Sequence, residues 1–239
     1  HRLEVTNRNT KNINWKSFDC QKNLWFKTSL SIPHFKPSIV NATAQRLSQC
    51  FQAIHELRPH LFENQKGLEF ISHLEFPQNW GLGSSSTLIN NLAQWANVDA
   101  YKLLALTFGG SGYDIACAQK PYPITFQKNL KSSKIEKAVF NPSFKDKLFF
   151  VHRNQKQDTR VAIAAYQALK KTKNLDFSEL NIITNALLQH STLEVFESLI
   201  TEHEKLIGKL IQQAPLKTTH FCDYNGAIKS LGAWGGDFF

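Results

Sequence analysis

The 239-residue chain contains no methionine, and its four cysteines, Cys20, Cys50, Cys117 and Cys222, stand apart with no Cys-x-x-Cys pair among them. Scattered cysteines indicate neither a zinc knuckle nor a disulfide framework, and they favour a reducing cytoplasm. No apolar run approaches the roughly 18 residues of a membrane span, and no charged-then-apolar leader precedes the first strand-like segment. A soluble, cytoplasmic protein with no membrane partner is expected. The lack of methionine admits two readings, since a chain of this length usually carries several. Either the chain is a fragment, or modified methionines are missing from the sequence as written and some spacings run short by one. The chain starts at His1 in a strand-like pattern and stops at Phe239 in an apolar run, so both ends are expected to be incomplete.

Acidic residues are few, 19 against 28 Lys and Arg, for a formal charge of +9. Such a surplus suits nucleic acid, an acidic membrane surface or anionic small molecules. The densest basic stretch, Lys128, Lys131, Lys134 and Lys137, has no interleaved aromatic residues on which bases would stack. It reads as a solvated loop, and no nucleic-acid partner is expected. What is present is a globular share of hydrophobic residues, 42%, enough for one large domain or two small ones.

Leu3 and Val5, then Ile13, Trp15 and Phe18, then Leu24 and Phe26 predict short strands in a small meander. From Ala42 to Leu57 the period turns helical, with Leu47, Phe51, Ile54 and Leu57 on one face and Pro59 ending it. Leu68, Phe70, Leu74 and Phe76 predict a strand broken at Pro77. Asp99 is a candidate N-cap for a helix burying Leu103, Leu104 and Leu106 before Gly109 and Gly110. Residues 121–142 predict a linker or an edge hairpin, and Leu148 to Val151 a strand. Helices follow over 160–171, after an Asp176/Glu179 capping box, and after a Ser191/Glu194 capping box with an apolar stripe running up to Pro215. His203 falls on that stripe and reads as core-facing. His220, Cys222 and Asp223 lack partners at metal-ligand spacing.

The stretch organising the chain is Pro77-Gln-Asn-Trp-Gly-Leu-Gly-Ser-Ser-Ser-Thr-Leu88. Gly81 and Gly83 admit backbone angles closed to other residues and let a bulky anion come close. The run Ser84, Ser85, Ser86, Thr87 offers hydroxyls and first-turn amides, since Leu88, Leu92 and Trp95/Ala96 then recur at helical spacing. A strand, a glycine loop and a helix N-terminus make an anion cradle. The same residues also describe a tight turn with a serine N-cap. A second glycine-rich string, Gly110-Ser-Gly-Tyr-Asp-Ile-Ala-Cys-Ala118, places Asp114 where it either caps a helix or, partly desolvated, accepts a proton from a hydroxyl nucleophile. A third, Lys229-Ser-Leu-Gly-Ala-Trp-Gly-Gly-Asp-Phe238, closes the chain.

Taken in order, these strings resemble the three motifs of the GHMP small-molecule kinases, the superfamily of galactokinase, homoserine kinase, mevalonate kinase and phosphomevalonate kinase. Pro-x-x-x-Gly-Leu-Gly-Ser-Ser resembles its ATP-binding signature, and Ser-Gly-Tyr-Asp the Ser-Gly-x-Asp of mevalonate and phosphomevalonate kinases. Gly-Tyr-Asp-Ile-Ala resembles a bacterial subgroup named for that string. The resemblance implies an α+β fold of two domains, a ribosomal protein S5 domain 2-like N-terminal domain over 1–142 and a ferredoxin-like C-terminal domain over 143–239, with the active site in the cleft between them. It implies ATP and Mg2+ as cofactors and γ-phosphoryl transfer to a small-molecule substrate such as mevalonate or phosphomevalonate, by a monomer or homodimer. Asp114 would be catalytic. Gly81, Leu82, Gly83, Ser84, Ser85, Ser86 and Thr87 would bind the nucleotide, with Ser85 touching the metal. Ser111, Gly112, Gly232, Ala233, Gly235 and Gly236 would border the phosphates and substrate.

Three departures accompany the resemblance. The helix before Asp114 reads Tyr101-Lys-Leu-Leu-Ala-Leu-Thr-Phe108, without the glutamate that mevalonate kinases usually place there as a second magnesium ligand. Trp234 and Asp237 stand where the family has glycines. The family's first motif is missing, and it is expected to precede His1. Diphosphomevalonate decarboxylase and homoserine kinase of the same fold are alternative functions, as is a nucleotide- or metabolite-binding protein without turnover.

Overall fold

The computed structural model describes residues 1–63, 67–129, 133–154, 166, 168, 176–189, 192–232 and 237–239. The chain divides into two compact units: one is His1–Gln78 with Leu82–Lys137, the other Asn79–Gly81 with Ala138–Phe239.

In the first unit, period-2 stretches form a four-stranded sheet from β1 (Arg2–Asn7), β2 (Asn12–Phe18), β3 (Leu24–Ser31) and β4 (Leu68–His73), in the order β1-β4-β2-β3. The first three strands therefore do not form the expected meander. β4 lies between β1 and β2, antiparallel to β1 with Val5 opposite Phe70, and parallel to β2 with Trp15 opposite Phe70. Leu68 and Phe70 are buried on the core side, and Glu69 is buried on the other, where it accepts from Arg8 and from Lys16 at 3.0 Å. β4 stops at His73, three residues short of Phe76.

Helices α1 (Ala42–Leu57), α2 (Ser84–Ala96), α3 (Ala100–Leu106) and α4 (Tyr113–Ala118) belong to the same unit. The side chain of Asn41 caps α1 by accepting from the Ala44 amide at 2.8 Å, and Asp99 caps α3 through the amides of Tyr101 and Lys102. Leu47, Phe51 and Ile54 of α1 meet the sheet around a cluster of rings. Trp15 stacks on Phe70 at 5.4 Å, while Phe51 and Trp95 present edges to Phe70 at 5.2 and 4.8 Å. Aromatic pairs of this geometry add to the stabilisation from area burial alone. Leu103 and Leu104 are buried as expected, but Leu106, the last residue of the helix, is exposed. The stretch expected as linker or hairpin is a hairpin, β5 (Ile124–Lys128) with β6 (Ser133–Lys137).

In the second unit, α5 (Ser178–Gln189), α6 (Leu193–Ile211) and α7 (Leu216–His220) follow one another. Thr192 caps α6 by accepting from the Val195 amide at 3.4 Å, one residue later than the expected Ser191, which lies outside the described residues. Asp176 accepts from the amide and hydroxyl of Ser178 rather than from Glu179. The helix expected over 160–171 also lies outside the described residues, apart from Tyr166 and Ala168. Leu148 to Val151 does not form the expected strand, and Phe149 and Phe150 are exposed. Backbone pairing begins only at Val151. Val151 and Phe239 exchange both N–H···O bonds, at 2.8 and 3.1 Å, and the Arg153 amide donates to the Asp237 carbonyl at 2.9 Å. Among the described residues no helix is long and apolar enough to cross a membrane.

Candidate functional site

The glycine loop is a strained backbone followed by an open helix end. Gly81 and Gly83 both hold positive φ, 65° and 67°, where a side chain would clash with its own backbone. Gly83 is the N-cap of α2, and no side chain caps that helix. The Thr87 amide is the first to find a helical partner, the Gly83 carbonyl at 2.9 Å, so the amides of Ser84, Ser85 and Ser86 keep their donor capacity at the positive end of a 13-residue helix.

The hydroxyls of this turn have different surroundings. Ser86 is buried. Thr87 gives its proton to the Ser84 carbonyl at 3.0 Å and also meets the imidazole of His1 at 2.9 Å. Ser84 and Ser85 are half-buried, and among the described residues their hydroxyls make no hydrogen bond. These two, with the three amides, are the donors an anion would meet. Leu82 is exposed between the glycines.

Asp114 comes to the same place from α4. Gly112, at φ 84°, is the N-cap of that helix, so Asp114 sits in its first turn and is not the cap. The Ser111 hydroxyl accepts from the Tyr113 amide at 3.1 Å, which secures the entry to the turn. Gly112 is needed as glycine, since a Cβ there would lie 2.9 Å from the ring of Tyr101. A Cβ on Gly83 would lie 3.2 Å from Asp114 Cγ, so Gly83 and Asp114 are in direct apposition within one unit. The outer side of Asp114 is open to solvent, yet the protein packed against its inner side removes enough water from the carboxyl to push its pKa up. Such a carboxylate is a better proton acceptor than a fully hydrated one.

Some neighbours leave no local trace in the sequence. Lys128 of β5 donates to the Gly110 carbonyl at 3.0 Å, pinning the loop that carries Ser111 and Gly112. The Tyr101 hydroxyl is buried and, among the described residues, has no hydrogen-bond partner. No acid occupies α3, and among the described residues no three His, Cys, Asp or Glu side chains gather at metal-ligand distance.

In the second unit, the carboxyl of Asp237 lies on Gly81, where an added Cβ would be 1.8 Å from Oδ2. Gly232 holds φ 71°, and among the described residues nothing lies where an added methyl group would strike it. Ala233, Gly235 and Gly236 lie outside the described residues. The segment entering this loop is anchored by Glu204 of α6, buried to 2% exposure, which accepts from Lys229 Nζ and from Ser230 Oγ at 2.9 Å each.

Solved structures of other proteins share this fold. A Lin0012 protein from Listeria innocua matches with a TM-score of 0.63 at 16% identity, over 99% of this chain and 79% of that one. Methanococcus jannaschii mevalonate kinase matches with a TM-score of 0.55 at 17% identity, over 87% of this chain and 68% of that one. L. major mevalonate kinase, solved with R-mevalonate, matches with a TM-score of 0.51 at 16% identity, over 87% of this chain and 65% of that one. No protein-family model matches the sequence, and no curated protein matches it. The chain is thus an α+β protein of two-domain architecture. Its fold is similar to that of the mevalonate kinases, and at these identities the likeness is one of fold.

Proposed function

We propose that this chain is a GHMP-type small-molecule kinase of the Gly-Tyr-Asp-Ile-Ala subgroup, transferring the γ-phosphoryl group of ATP to a metabolite such as mevalonate or phosphomevalonate in the cytoplasm. The observation that carries the proposal is the apposition of Asp114 and Gly83 at the open end of α2. Phosphate donors and a partly desolvated base are brought together by two glycine-rich turns far apart in sequence. In this reading the amides of Ser84, Ser85 and Ser86 hold phosphate oxygens, with the hydroxyls of Ser84 and Ser85 beside them. Ser85 would touch the Mg2+ ion, which when bound would supply neutralisation of the nucleotide's charge. With an alcohol acceptor such as mevalonate, Asp114 takes the hydroxyl proton as the hydroxyl oxygen bonds to the γ-phosphorus and the bond to the β–γ bridging oxygen breaks, releasing ADP. Positioning and charge neutralisation supply most of the rate.

The experiment is ATP consumption by the purified chain with mevalonate, phosphomevalonate, diphosphomevalonate and homoserine in parallel. ADP and phosphorylated product from one of the first two support the proposal. Carbon dioxide from diphosphomevalonate would identify a decarboxylase, and phosphohomoserine a homoserine kinase. A second reading, a binding protein without turnover, draws on the acid-free α3 and on the Asp237 carboxyl resting against Gly81. Tight ATP binding with no turnover on any acceptor would favour it.

A further inference from the structure

His1 has a side chain only 6% exposed, and its ring joins β4 to the first turn of α2. Nδ1 lies 2.9 Å from Thr87 Oγ1, and Nε2 lies 3.0 Å from Ser72 Oγ. Asn91 donates to the His1 carbonyl at 3.0 Å, which fixes the backbone that carries the ring. The proton positions follow from counting donors. A threonine hydroxyl has one proton, and that of Thr87 goes to the Ser84 carbonyl at 3.0 Å. Toward His1, Thr87 Oγ1 therefore accepts, and Nδ1 carries hydrogen. In the neutral ring Nε2 then accepts from Ser72. The result is a single directed chain: Ser72 O–H to Nε2, Nδ1–H to Thr87 Oγ1, Thr87 O–H to the Ser84 carbonyl.

That carbonyl belongs to the same peptide unit as the Ser85 N–H, one of the three unpaired donors at the start of α2. A carbonyl that accepts a hydrogen bond makes the N–H of its own peptide a stronger donor, and successive bonds in a chain polarise one another. The chain also ties the first turn of the helix to a central strand of the sheet, which holds the Ser84–Ser85 peptide in one orientation. We infer that His1, as its neutral Nδ1–H tautomer, is a positioning residue that acts through Thr87 to orient and polarise the Ser85 amide toward an incoming phosphate. The inference rests on the reading of this turn as the phosphate site.

The test uses the full chain labelled with nitrogen-15, and ATP as the probe. Long-range proton–nitrogen spectra of His1 near neutral pH are expected to show hydrogen on Nδ1 and a bare Nε2. In calorimetry, Thr87→Val and His1→Ala should each weaken ATP binding by about five- to tenfold, as the loss of one ordinary hydrogen bond does. The double variant should be no weaker than either single one, because both cut the same chain. Thr87→Ser should restore affinity, a rescue that mere loss of packing would not give. If His1→Ala does not fold, Ser72→Ala, which leaves the ring in place and frees its tautomer, completes the cycle. Hydrogen on Nε2, additive losses, or unchanged affinity in Thr87→Val would overturn the inference while leaving the kinase reading intact. A wild-type chain that binds no ATP would overturn the phosphate reading, and this inference with it.

Discussion

Gly83 and Asp114 are 31 positions apart and face each other: an added Cβ on Gly83 would meet Asp114 Cγ at 3.2 Å and Cβ at 3.3 Å. The glycine is required twice over, since its φ of 67° costs a residue with a side chain about 1–2 kcal/mol. Gly83→Val should therefore lower ATP affinity by at least about tenfold while the fold, read by circular dichroism, is retained. Unchanged affinity in calorimetry would remove the loop from the site.

Asp114→Asn is expected to separate stability from activity. Burial raises the carboxyl's pKa in the folded state, so the folded chain holds its proton to higher pH than the unfolded chain does. Stability is then greatest below the ordinary aspartate range and falls as pH rises through the raised folded pKa. Asparagine has no charge to desolvate and should equal or exceed the wild type in urea unfolding at neutral pH. Turnover should fall by about a hundredfold or more with ATP binding little changed, because the proton acceptor is gone. The acid limb of the wild-type rate profile should lie above the usual aspartate range. Near-normal turnover in Asp114→Asn, with chemistry shown to limit the rate, would make Asp114 structural.

The parts of this molecule legible in its sequence are those that local chemistry decides. Asp99 marks the start of α3, and the spacing of Leu47, Phe51 and Ile54 marks the buried face of α1, because caps and helical periods are written within a few residues. The glycines of both turns were equally visible, since positive φ selects them at the residue itself. Strand order was not. Whether β4 pairs beside β1 or beyond β3 rests on contacts between residues far apart in sequence, such as Val5 and Trp15 opposite Phe70, and no local pattern encodes that. Nor did anything near His1 announce Ser72 and Thr87 as its partners. Leu148 to Val151 misled in the opposite direction, since an unbroken apolar run specifies no single buried face and the backbone pairing starts only at Val151.

Glu204 is the one buried charge in the stripe of α6, between Ile200 and Gly208. Its bonds to Lys229 and Ser230 hold the segment that leads into Gly232. Removing one member of a buried pair leaves its partner's charge desolvated, at a cost of about 3–5 kcal/mol. Lys229 is partly exposed and can recover some hydration, so Glu204→Ala should fall near the lower end of that range in chemical denaturation. Glu204→Gln, which keeps an acceptor for Ser230, should lose less. Equal stability of both variants and the wild type would show that the bonds do not hold this segment.

His203 adjoins that carboxylate, and its pH response has a definite sign. Burial, and then the nearby Lys229 charge, push its pKa down from 6.5 to about 4, against an opposing pull from Glu204. Its Nδ1 is buried with no partner among the described residues, as suits a ring that stays neutral. The unfolded chain takes up a proton at this residue below about pH 6.5, and the folded chain does so only near pH 4. The stability contributed by the neutral ring is therefore fully present above pH 6.5 and is lost as pH falls toward 4. His203→Gln removes the titration, so its unfolding free energy should decline less steeply than the wild type's between those two values. Urea unfolding at half-unit steps of pH measures both slopes. Parallel slopes would mean that the ring is hydrated enough to titrate alike in both states.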